Sequence, residues 1–169
     1  MSLRIASLAL FAALGMTGAA ANPLEDELAS ASNTCWERSY DAAHLQAHPQ
    51  QQVTKIRLAT EVQDDGSIVA QLGFNLRGRS GAGFRHEYTA FGYCKAQGKG
   101  IACPSQWDAG TFSISKGKGG TLLVTNRHMI VNPSNYDAED IAPGAVDLGK
   151  SDDAQWMVTR IENESCDIY

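Results

Sequence analysis

Apolar and polar side chains alternate with period two from residue 53 onward. Ile56, Leu58, Thr60 and Val62 fall on one side, with Lys55, Arg57 and Glu61 on the other. After the turn sequence Asp64-Asp65-Gly66-Ser67 the alternation resumes with Ile68, Ala70, Leu72, Phe74 and Leu76 on the apolar side. Period-two alternation predicts strands with one buried and one wet face, here over 53–62 and 68–77. Glycine supplies the positive φ of the turn, and aspartate hydrogen-bonds the backbone just ahead of it. Shorter runs of the same kind predict strands near 86–95, 100–104, 110–116 and 120–126, with a further short strand over 128–131. Gly/Lys turns separate several of them. Trp156, Val158 and Thr159 favour a last strand over 154–161. Seven or eight short strands with closely spaced turn signals predict an all-β, antiparallel domain. Closing such a sheet removes its exposed edges. The expected architecture is therefore a small β-barrel, up-and-down or flattened, with a two-sheet β-sandwich as the alternative.

One segment reads as helix. Residues 36–48 carry Ala, Leu and Gln, Ser39 or Asp41 is a candidate N-cap, and Pro49 stops the run. Tyr40, His44 and His48 then share one face, with Asp41 adjacent. Residues 22–34 are small, polar and acidic, and read as a flexible leader, with at most a frayed helical turn, to a single domain spanning 35–169. Residues 78–83 form a Gly-rich basic connection. Residues 132–153, with Pro133, Pro143, Gly144 and many acids, read as a long loop.

The N-terminus changes the context. Met-Ser-Leu-Arg is a short positive region, residues 5–16 are apolar, and Ala19 and Ala21 are small residues at −3 and −1 of a cleavage point after Ala21. This predicts a cleavable signal peptide over 1–21. The apolar run is shorter than the roughly 20 residues of a spanning helix, so no membrane anchor is expected after cleavage. Export to the periplasm exposes thiols to oxidation, so Cys35, Cys94, Cys103 and Cys166 are expected to pair. Four cysteines allow three connectivities. Cys94–Cys103 would close a hairpin, and Cys35–Cys166 would join the start of the fold to its end. These are the favoured pairs.

Charge is uneven. Residues 77–128 hold eight Lys/Arg against Glu87 and Asp108, and residues 129–169 hold nine Asp/Glu against Lys150 and Arg160. A formal net charge of −5 argues against nucleic acid as a partner. The chain lacks a Gly-x-Ser-x-Gly elbow, a His-Glu-x-x-His pair and a phosphate-binding Gly-rich loop. No cofactor is therefore expected, and His86 and His128 join no recognisable triad. His44 and His48, four apart on a helix with Asp41 close by, have the spacing to meet one metal ion. Asp137, Glu139 and Asp140 lack the spacing of a calcium loop. Trp36, Trp107, Trp156, Phe91, Tyr93 and Phe112 read as core and rim aromatics, and at a barrel mouth would suit a small apolar ligand.

The run Cys35-Trp-Glu-Arg-Ser-Tyr-Asp, His44-Leu, His48-Pro-Gln, the Cys94/Cys103 pair and the terminal Cys166 resembles a group of small exported alphaproteobacterial proteins of unknown function. A fainter resemblance is to the periplasmic inhibitors of C-type lysozyme, carried by Ser80-Gly81-Ala82-Gly83-Phe84 and Tyr93-Cys94. Here the Ser-Gly loop precedes the Tyr-x-Cys region, and the inhibitors' Trp-x-Lys-Gly segment is absent. That likeness implies a disulfide-bearing β-barrel whose Ser-Gly loop enters a hydrolase cleft. The expected function is a non-enzymatic binding or interaction module for an envelope protein or small ligand. Its contact residues would be Arg77, Arg79, Ser80, Arg85 and His86. The alternative is a metal-handling protein that uses Asp41, His44 and His48, and an enzyme of unrecognised type is a third reading.

Overall fold

The computed structural model describes residues 22–30, 34–79, 87–105, 109–134, 141–161, 166 and 168. In chain order the elements are α1 (Pro23–Ser30), β1 (Cys35–Ser39), α2 (Ala42–Ala47), β2 (Val53–Val62), β3 (Ile68–Leu76) and β4 (Tyr88–Gln97). They continue with β5 (Gly100–Pro104), β6 (Gly110–Lys116), β7 (Leu122–Pro133), β8 (Val146–Asp147) and β9 (Gln155–Ile161). Each of β1 to β7 pairs antiparallel with the next strand except across the β1–β9–β7 closure. The ring β1-β2-β3-β4-β5-β6-β7-β9 is a closed eight-stranded barrel, with β8 laid against the far end of β7. The barrel, not the sandwich, is the architecture, with disulfides joining Cys35 to Cys166 and Cys94 to Cys103. Among the described residues no helix is long and apolar enough to cross a membrane.

Alternation places one side of each strand inside the ring. Ile56, Leu72, Phe74, Phe112, Val124 and Trp156 are all at or below 1 % exposure, and Phe74 and Trp156 pack at a 60° tilt, 5.5 Å between ring centroids. The interior is thus filled by side chains, as in other small barrels. Val62, expected inward, lies at the open end of β2 and is exposed.

Three segments depart from the expected reading. Residues 36–39, expected as the start of a helix, belong to strand β1: Trp36 faces Leu58 of β2 and Arg160 of β9, and burying its indole in the ring outweighs local helix propensity. The helix is confined to Ala42–Ala47. The segment expected as a flexible leader contains α1. Asn22 Oδ1 accepts from Leu24 N, Pro23 opens the helix, and Leu24 and Leu28, one turn apart, are buried in the core. Each of these leucines contributes about 1.5–3 kcal/mol by burial. Asn22 Nδ2 also donates to Gly100 O at 2.7 Å and Lys116 pairs with Glu27 at 2.6 Å, so α1 closes one end of the barrel. Finally, the two strands expected over 120–126 and 128–131 are one strand, β7, bent at His128. The register there shifts between Gly110 and Thr111 of β6, and His128 adopts φ +68°. An extra residue on one strand bends it and frees its tail to pair elsewhere. Asn132 and Pro133 accordingly meet Thr89 and Tyr88 of β4. The region 132–153 is only partly loop, since it contains β8 and a 3₁₀ turn over Leu148–Lys150.

On the outer face Arg57 is buried, at 3 % exposure, beneath its expected wet position. Its Nη2 and Nε reach Glu37 Oε2 at 2.7 and 3.0 Å, and Lys55 Nζ reaches the same oxygen at 3.0 Å. Burial pushes the Glu37 carboxyl up, but the hydrogen bonds and charges of Arg57 and Lys55 outweigh it and hold the group below the usual glutamate range. A lowered native pKa means that the unfolded chain binds more protons between the two values, so stability rises with pH there. The contribution is complete above the unfolded value and disappears as pH falls through the native one. Acid titration of the unfolding free energy should therefore show a limb that flattens in Glu37→Gln. An unchanged acid limb in that variant would refute the assignment.

Candidate functional site

The barrel end opposite α1 gathers most of the chemistry. Here β1 leaves the ring at Ser39, and Tyr40 N donates to Thr54 O at 2.9 Å. Asp41 takes an extended backbone, and its Oδ1 accepts from His44 N at 2.7 Å, the N-cap anticipated from the sequence. No residue of α2 is buried, so packing does not hold this short helix. Arg77 holds it instead. Its Nη2 donates to Leu45 O at 2.7 Å and His48 O at 3.2 Å, and Nη1 to Pro49 O at 3.3 Å. A guanidinium thus satisfies carbonyls that the helix end leaves unpaired, and it sits at the negative end of the helix dipole.

The result is a column of flat groups. Arg38 Cζ lies 5.2 Å from the Tyr40 ring centroid; Tyr40 stacks on His44 at 4.6 Å, and His44 on His48 at 4.5 Å, both at 27°. The four-residue helical spacing puts the imidazoles one above the other. Tyr40 is half-buried. Burial pushes its phenol above the usual tyrosine range, Arg38 pulls it down less strongly, and nearby Asp153 adds to the rise, so Tyr40 remains a neutral hydroxyl. Asp153 is 1 % exposed and is a structural carboxylate. It accepts from Gln52 N at 2.8 Å, Val53 N at 3.2 Å and Ser151 Oγ at 2.6 Å, and so ties the approach to β9 onto the start of β2.

The sequence candidates divide accordingly. Arg77 and the Tyr40–His44–His48 face come together, although they were read as two separate sites. Arg79 turns away to Tyr88, with Nη1 donating to the phenol oxygen at 2.8 Å and Cζ 5.6 Å from the ring centroid. Ser80, Arg85 and His86 lie outside the described residues, as do the predicted signal segment 1–21, Trp107, and Asp137, Glu139 and Asp140. Among the described residues no group of three or more His, Cys, Asp or Glu is placed to hold a metal ion, so Asp41, His44 and His48 are not gathered round one point. The Asp41 carboxylate already serves as the cap. Arg38 and Gln51 were not singled out by sequence. Arg38 was hidden within the supposed helix, and the role of Gln51 depends on the turn after α2. Of the aromatics, Trp36, Phe112 and Trp156 are core, while Phe91 and Tyr93 meet edge to face on a strand whose Tyr93 is exposed.

A second cluster surrounds the β7 bulge. His128 Nδ1 lies 4.0 Å from Asp147 Oδ1, Lys150 Nζ lies 3.1 Å from Asp147 Oδ2, and Asp147 Oδ1 also accepts from Gly149 N at 2.9 Å. Burial raises the Asp147 carboxyl, but Lys150, the Gly149 amide and His128 together hold it below the usual aspartate range. This arrangement fastens the 3₁₀ turn to the bent strand.

Because Arg77 is the chief support of α2, Arg77→Ala should unravel that helix locally. Amide exchange at residues 44–48 should speed up while global unfolding shifts by about 1 kcal/mol or less. Unchanged protection at His48 would show that the helix is held some other way. No protein-family model, curated protein or solved structure matches the chain.

Proposed function

We propose that this protein is an exported, non-enzymatic binding module of the cell envelope, released after cleavage behind Ala21, which uses a packed, disulfide-bonded barrel as the scaffold for a surface contact. The observation that carries this reading is the union of two candidate surfaces. Arg77, the first residue of the basic segment 77–86, clamps the end of α2, so the helix and the start of that segment are joined. The interior is taken up by core side chains, which leaves the outside to meet a partner. Two disulfides suit an oxidising compartment. The partner on this reading is an envelope protein, and a lysozyme-type hydrolase is its most concrete form.

The test is inhibition of cell-wall lysis by a C-type lysozyme, titrated with purified protein. Stoichiometric inhibition that is lost in Ser80→Trp and in Arg85→Glu supports the lysozyme form. No inhibition rejects that form. The broader reading then stands on retention of a defined envelope protein by the immobilised chain, lost in the same two variants, and falls if nothing is specifically retained.

A further inference from the structure

From the His44–His48–Gln51 geometry we infer a two-histidine clasp for a borderline divalent transition metal, Cu²⁺ above Zn²⁺, on the exposed face of α2. This goes beyond the partner-binding reading, and its two ligands are not the residues varied to test that reading. Its ligands are His44 and His48 alone, without the carboxylate of Asp41, which the helix cap engages.

The argument starts from Gln51. Its side chain is buried, at 6 % exposure, and its Nε2 donates to Val53 O at 2.7 Å. A carbonyl can only accept, so the amide nitrogen must face Val53 and Oε1 must face the other way. That oxygen lies 3.0 Å from His44 Nε2. Since Oε1 is itself only an acceptor, His44 Nε2 carries the proton. In the neutral imidazole the lone pair is then on Nδ1. Metal-binding histidines have this arrangement: one ring nitrogen donates to a fixed acceptor, and the other is left as the ligand with its tautomer and ring orientation set. A merely solvated surface histidine has no need of a buried, oriented acceptor behind it.

The second ligand is His48, one helical turn on, with its ring centroid 4.5 Å from that of His44. It is exposed, and no side-chain hydrogen bond holds its ring among the described residues, so a rotation about its side-chain torsions opens the stack toward a shared ion. Arg77 holds the backbone carbonyls at Leu45 and His48, which keeps the two imidazoles at one-turn spacing. Two imidazoles and no carboxylate favour nitrogen-preferring ions over calcium or magnesium, and the usual order of divalent affinities places Cu²⁺ above Zn²⁺. Water fills the remaining coordination positions.

Calorimetry of the purified protein with Cu²⁺ alone and Zn²⁺ alone, paired with the Cu²⁺ paramagnetic resonance spectrum, tests the inference. One ion per chain is expected, Cu²⁺ the tighter, with hyperfine structure from two imidazole nitrogens. His48→Ala, an exposed change that spares the fold, should abolish the site. Gln51→Leu should weaken binding by roughly 10–100-fold while both histidines remain, and unfolding curves establish that it is folded. Unchanged affinity in folded Gln51→Leu overturns the inference. So does binding that survives in His48→Ala, which places the ion elsewhere, and so does the absence of binding in excess metal. None of these outcomes depends on whether an envelope partner is found.

Discussion

Replacing Cys35 and Cys166 together by alanine should lower the unfolding free energy by up to about 5 kcal/mol, and replacing Cys94 and Cys103 by up to about 3 kcal/mol. The difference follows from the separations along the chain, 131 and 9 residues. A crosslink removes unfolded conformations, and the entropy it removes grows with the logarithm of the loop it closes. The longer bridge also has a structural role that the shorter lacks. Cys94 and Cys103 face each other across the β4–β5 hairpin, whose strands would pair without help. Cys35 opens β1, where Cys35 faces Ile161 in the β1–β9 pairing that closes the ring. Opening that bridge therefore loosens the join between the two ends of the chain. Alanine is the suitable replacement, since Cys35, Cys94 and Cys103 are buried and a serine hydroxyl would have to be desolvated there. Urea midpoints of the two double variants against the parent decide the matter. A larger loss from the short bridge would show that chain entropy does not govern this fold.

What could be read from the sequence follows the range over which each signal acts. The β2–β3 hairpin and β6 were legible almost to the residue, because alternation and turn chemistry are local. The barrel was legible as a consequence, from strand count and the need to hide edges. Residues 36–39 were misread because the Ala-rich run that follows lent them its helical character. The fact that decides for strand, Trp36 buried between β2 and β9, is long-range. Helix α1 is a different case. Asn22, Pro23, the acids Glu25 and Asp26, and the Leu24/Leu28 pair make a complete helix-start signature. Weighing composition over the whole stretch concealed the two leucines that are buried in the core. In the candidate site the helical spacing exposed Tyr40, His44, His48 and the Asp41 cap. The clamp by Arg77 joins residues some thirty positions apart and has no sequence signature. The orientation of Gln51 depends on Val53 O, and therefore on where β2 begins.

The bend in β7 was equally unreadable, since His128 carries no mark of a left-handed residue, yet it supports the second large prediction. Gly110→Ala should cost about 4 kcal/mol or more, or prevent folding, whereas Gly66→Ala should cost about 1–2 kcal/mol. Both glycines have positive φ, +89° and +81°, so the backbone strain imposed on an L-residue is comparable. Only the surroundings differ. A Cβ at Gly66 meets nothing within 4 Å, while at Gly110 it would stand 1.4 Å from His128 O and 2.6 Å from the carbonyl carbon. Those are backbone atoms of the bulge and cannot swing aside like a side chain. To admit the methyl group, β6 and β7 must separate where the register shifts. That separation would displace the β7 tail from β4 and β8, together with the Ile130 N–Ala109 O bond at 2.9 Å. Denaturant unfolding of the two alanine variants, made in parallel, subtracts the shared strain and leaves the steric part. Equal losses would mean that β7 carries no tight bulge at His128, and that the path of its tail over β4 must be drawn differently.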